Sequence, residues 1–139
     1  MTPIKITYKS GDDKSWNEII TLMTRIAEEC DIPVKEIEVH ESDEDVACTF
    51  LLGSKIVMFT KLRRVALHEL AHIWSGEGHT ENWVIDYAYL CKKYLTKEEY
   101  LEALWYAERR YKSAKELVQF ISSRDALDES GRWAWGKTK

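Results

Sequence analysis

The run His68-Glu69-Leu70-Ala71-His72 constrains this chain more than any other feature, because it sets three polar residues inside an apolar stretch. Leu62, Val65, Ala66, Leu67, Ile73 and Trp74 surround them, and the pattern predicts a helix over Lys61 to Trp74. Residues four apart lie one turn apart on a helix, so both imidazoles leave from the same face. Burying two histidines and a glutamate among such neighbours is costly unless something compensates them. A shared metal ion does so, and neutral imidazole suits zinc. Glu69 falls on the edge of that face, where a carboxylate can act on water without being a ligand.

Zinc that does hydrolysis needs three protein ligands and one open position. Three of the four histidines, His68, His72 and His79, lie within twelve residues. Between His72 and His79 stands Ser75-Gly76-Glu77-Gly78, whose two glycines permit the backbone angles of a reversal. The reversal would return His79 towards the first two, making His68, His72 and His79 the expected zinc ligands and Glu69 the expected catalytic base. Glu81 is the rival third ligand, and Glu77 a poorer one. Glu81 has an ordinary role available as well, favouring a helix N-terminus through the dipole.

The rest of the chain gives an element order. Ile4 to Tyr8 alternates as a strand does, and Gly11-Asp12-Asp13 turns the chain. Ser15-Trp16-Asn17-Glu18 is a capping-box pattern opening a helix. Its apolar stripe is Trp16, Ile19, Ile20, Met23, Ile26, Ala27 and Cys30. Glu36 to His40 alternates again, and Val46 to Leu52 and Lys55 to Phe59 read as a hairpin turned at Gly53-Ser54. After the motif helix, another helix opens near Thr80. A second capping box, Thr96 to Glu99, begins a long helix with a stripe at Leu101, Leu104, Ala107, Tyr111, Ala114, Val118 and Ile121. Glu108 and Lys112 add an i,i+4 pair on its exposed side. Strands first and helices later predict an α+β fold. The expected sheet is small and mostly antiparallel, followed by the motif helix and C-terminal helices. One domain over residues 1–123 is expected, with a tail, 124–139, in which Trp133 and Trp135 dock on the body.

With these residues in view, the string His68 to His79 resembles the active-site helix of zincin metallopeptidases. The piece Gly78-His79-Thr80-Glu81-Asn82-Trp83 is similar to the glycine-histidine element of SprT-like peptidases, with Thr80 where glycine is common. The resemblance covers roughly residues 55–95. It implies a zincin-like domain, zinc held by His68, His72 and His79, and peptide hydrolysis with Glu69 as base. Metzincins fit less well: Ser75 stands where their pattern has glycine, His79 falls one residue too far on, and all three methionines precede the motif. Small gluzincins, with Glu81 as third ligand, are the second choice. Tyr87, Tyr89 and Tyr94 are candidates by type for the oxyanion donor. The strand Lys55 to Phe59, if at a sheet edge, could pair with an extended peptide substrate.

Composition narrows the partners. Net charge is −4, and residues 1–60 carry six basic and twelve acidic side chains. A nucleic-acid binder shows a basic stripe; Lys61-Arg63-Arg64 and Arg109-Arg110-Lys112 read better as solvated helix faces. No apolar run is long enough for a bilayer, and no secretory signal is visible at Met1 to Ser10. Cys30, Cys48 and Cys91 form no C-x-x-C pair and read as small buried residues of a cytoplasmic protein. His40, the remaining histidine, reads as a surface strand residue. The expected partner is a peptide or protein substrate. A second reading is a zincin-fold protein that binds metal or a partner without turnover.

Overall fold

The computed structural model describes residues 3–111 together with Lys115, Glu116 and Gln119. The fold is α+β, and among the described residues four strands and four helices follow in the order β1 (Lys5–Tyr8), α1 (Asp13–Glu29), β2 (Glu36–Val39), β3 (Ala47–Phe50), β4 (Lys55–Met58), α2 (Arg63–Ser75), α3 (Glu81–Tyr94) and α4 (Lys97–Arg110). Two compact units share the chain, the first running to Trp74 and the second from Ser75.

In the first unit the strands form one sheet in the order β1-β2-β4-β3. β1 with β2 and β2 with β4 are parallel, and only β3 with β4 is antiparallel. The sheet is therefore mixed and mostly parallel, which corrects the antiparallel expectation. Between β1 and β2 the chain returns through α1, and between β2 and β4 it returns through β3, so the strands of each pair run the same way. β4 is also not an edge. It pairs on both sides, and β3 is the edge strand beside it.

α1 buries Trp16, Ile19, Ile20, Met23, Ile26 and Ala27, as its stripe predicted. Its N-cap is Asp12 rather than Ser15: the Ser15 amide donates to Asp12 Oδ1 at 2.8 Å. Ser15 instead donates through Oγ to Glu41 Oε1, which also accepts from Lys61 Nζ at 3.0 Å. Lys61 lies 4.8 Å from the centre of the Trp16 ring, so it is held rather than merely solvated. Ile37, Val39, Ile56 and Met58 of the sheet are fully buried, as are Ala66, Leu67, Leu70 and Ala71 of α2.

In the second unit α3 and α4 pack together. α3 buries Trp83, Val84, Tyr87, Ala88, Leu90 and Cys91 among others. The Thr96–Glu99 capping box opens α4 as expected. α4 turns Tyr100, Ala103, Leu104 and Ala107 inward, whereas Leu101 is 50% exposed. The predicted stripe was thus offset by one position at its start. α4 ends at Arg110, with Tyr111 extended (φ −123°, ψ 108°), so no single helix runs on through Tyr111. Ala114, Val118, Ile121, Lys112 and the tail with Trp133 and Trp135 lie outside the described residues. Only Cys91 of the three cysteines is buried; Cys30 is partly exposed and Cys48 exposed. Among the described residues no helix is long and apolar enough to cross a membrane.

Candidate metal centre

α2 carries His68, Glu69 and His72 on one side of its last two turns, and Glu69 and His72 are buried with it. The two Nε2 atoms are 3.1 Å apart. Imidazole nitrogens this close must share either a proton or a cation. Two such ligands on one tetrahedral zinc, each about 2.0–2.1 Å from the ion, stand about 3.3 Å apart. The pair therefore has the spacing that zinc asks for.

α2 stops at Ser75, and Gly76 follows with φ +72°, the left-handed conformation that suits glycine after a helix. Gly78 has no positive φ; its carbonyl accepts from the Thr80 amide at 2.9 Å. The short turn leads to His79, and one ligating atom of each of His68, His72 and His79 lies within 4.8 Å of the others. Three neutral nitrogen donors with no thiolate match a zinc site of the open kind.

The residues around His79 account for its neighbours in sequence. Its ring stacks on Tyr111 at 3.9 Å and meets the Trp83 edge at 4.8 Å. Tyr111 was expected in a core stripe; here it flanks a candidate ligand. Thr80, where the resembled pattern has glycine, is the N-cap of α3. Its hydroxyl also donates to Glu77 Oε1 at 2.6 Å, and Asn82 donates to Glu77 Oε2 at 2.9 Å. Glu77 is thereby tied to the first turn of α3. Glu81 is exposed in that same turn and is not among the grouped ligands.

Glu69 is 5% exposed. Its Oε1 accepts a hydrogen bond of 2.7 Å from Thr49 Oγ1 on β3, and its Oε2 lies 3.7 Å from His68 Nε2. Burial pushes its pKa up to about 7, against the smaller lowering effect of the Thr49 hydroxyl. A carboxylate that titrates near neutrality suits proton transfer to and from reacting groups. Thr49 escaped the sequence reading, because nothing in local spacing pairs a strand threonine with a residue twenty positions on.

Tyr87 is buried and stacks on Trp83 at 5.0 Å, and Tyr89 is buried on the same helix. Tyr94, at the end of α3, is partly exposed. His40 follows β2, with Nε2 2.6 Å from Glu38 Oε2 and its ring stacked on Phe59, so both its ring and its nitrogen are engaged within the first unit. No family model, curated protein or solved structure matches this chain.

Proposed function

We propose that this protein is a zinc-dependent metallopeptidase of the zincin kind, most similar to SprT-like peptidases, with His68, His72 and His79 as ligands and Glu69 as base. The observation that carries this reading is the grouping of three imidazoles within 4.8 Å of one another, with a buried glutamate adjoining His68. A metal site that was purely structural would have no use for a base there.

Zinc, when bound, supplies a Lewis acid that activates water and polarises a carbonyl. The chain's own residues account for the rest. Glu69 takes the proton from water at Oε2, the oxygen on the His68 side, since Oε1 is engaged by Thr49. The same carboxyl then returns the proton to the departing nitrogen.

The substrate class follows from β3. An edge strand offers unpaired main-chain groups that an extended polypeptide can join. This moves the proposed docking strand from β4, where the sequence reading had it, to Ala47–Phe50. Phe50, Leu51 and Leu52 at its end are exposed, Leu52 fully, and favour apolar side chains on the substrate. The test is cleavage of an unfolded polypeptide by zinc-loaded protein, with Glu69→Gln as the control.

A further inference from the structure

β3 touches the proposed chemistry in two ways at a single residue. The Phe59 amide donates to the Val46 carbonyl at 3.1 Å, so Val46 and Phe59 form a hydrogen-bonded pair of the antiparallel ladder. Such pairs alternate, which makes Cys48 with Val57 and Phe50 with Lys55 the next ones. The main-chain N–H and C=O of Ala47 and Thr49 then face away from β4, towards the open edge of the sheet. Side chains alternate too, and that of Thr49 turns inward. Its hydroxyl meets Glu69 Oε1 at 2.7 Å and, more distantly, the Glu69 carbonyl oxygen at 3.4 Å. The hydroxyl has one proton to donate, and the shorter contact takes it. That bond fixes one carboxylate oxygen and leaves the other, Oε2, on the His68 side.

We propose that Thr49 is a positioning residue for Glu69, its hydroxyl holding the carboxylate while its main chain forms part of the edge that receives the substrate. The inference rests on the peptidase reading above. One residue then links the seating of an extended substrate to the orientation of the base, and a chain that pairs with β3 stiffens the strand whose Thr49 hydroxyl holds the Glu69 carboxylate. A carboxylate without this anchor keeps its chemistry but loses its aim, which lowers turnover more than binding.

The experiment compares Thr49→Val, which keeps shape and loses the hydroxyl, with Thr49→Ser, which keeps the hydroxyl. Both are made in the full chain, loaded with zinc and given a fluorescently labelled unfolded polypeptide. Thr49→Val is expected to hold the wild-type amount of zinc and lose roughly tenfold to a hundredfold in kcat, with KM within about twofold. Thr49→Ser is expected to retain kcat within about threefold. Unchanged kcat in Thr49→Val overturns the proposal, as does an equal loss in both variants or a loss confined to KM. A second readout needs no turnover: urea unfolding of metal-free protein at pH 8. There Thr49→Val should raise the unfolding constant by about tenfold in the wild-type background and by less than about twofold in Glu69→Leu. Additive effects would remove the bond from the account. Wild type no more active than Glu69→Gln overturns the peptidase reading itself, and with it any positioning role in turnover.

Discussion

The Nε2 atoms of His68 and His72 face each other across 3.1 Å on one side of α2. A four-residue spacing on the helix brings them to a distance at which they share a proton or a cation, and imidazole suits zinc. Purified protein is therefore expected to carry close to one zinc per chain. His68→Ala and His72→Ala should each abolish tight binding, since two remaining ligands hold zinc poorly. Metal content by mass spectrometry checks this, and full retention in His68→Ala would remove the site as described.

The third ligand is separable by substitution. His79→Ala should lose most zinc affinity, whereas Glu81→Ala, exposed in the first turn of α3, should keep it. Tyr111→Ala removes the ring stacked on His79 at 3.9 Å and is expected to weaken zinc by about tenfold, as neighbours that orient ligands usually do. Competition with a chromogenic chelator gives all three affinities.

Glu69 gives metal-free protein a pH-dependent stability with a definite sign. Its pKa is raised from 4.5 to about 7 by burial, so the folded chain keeps a proton that the unfolded chain releases. The stabilisation is whole below about pH 4.5 and declines as pH rises to about 7. The total is about 3 kcal/mol, at about 1.4 kcal/mol per pH unit. Glu69→Gln abolishes this slope and should be the more stable protein at pH 8, by up to that amount. Urea unfolding in chelator, at pH 4.5 and at pH 8, measures it.

A stability prediction independent of zinc concerns the end of α1. Asp31 has φ 53°, and the Ile32 amide reaches back to the Ala27 carbonyl at 2.9 Å. This is a glycine-type helix ending made with an aspartate. Asp31→Gly relieves the left-handed strain and should stabilise the fold by about 0.5–1 kcal/mol, read as a raised urea midpoint.

The sequence was most legible where a signal is local. The α1 stripe from Trp16 to Ala27 and the Thr96–Glu99 box depend on residues within a few turns of each other, and both are present. The α2 motif belongs with them, because helical spacing alone brings His68 to His72. Sheet pairing was illegible: the alternation of Glu36 to Val39 shows a strand but not its partners, and both of its neighbours turn out to be parallel. The same limit hid Thr49, whose inward hydroxyl has meaning only once β3 lies against α2. It also hid Tyr111, which helical periodicity assigned to a stripe although α4 ends one residue earlier.

The central claim is that Glu69 is a base and not merely a buried acid. Glu69→Gln keeps its size and leaves an oxygen for the Thr49 hydroxyl, but it cannot take a proton. Zinc-loaded wild type and Glu69→Gln, matched for metal content, should be compared on an unfolded polypeptide at pH 7. The account predicts equal zinc, equal folding and a fall in cleavage rate of roughly two to four orders of magnitude. The same low background in both proteins would contradict it, and would leave a chain that binds metal without turnover.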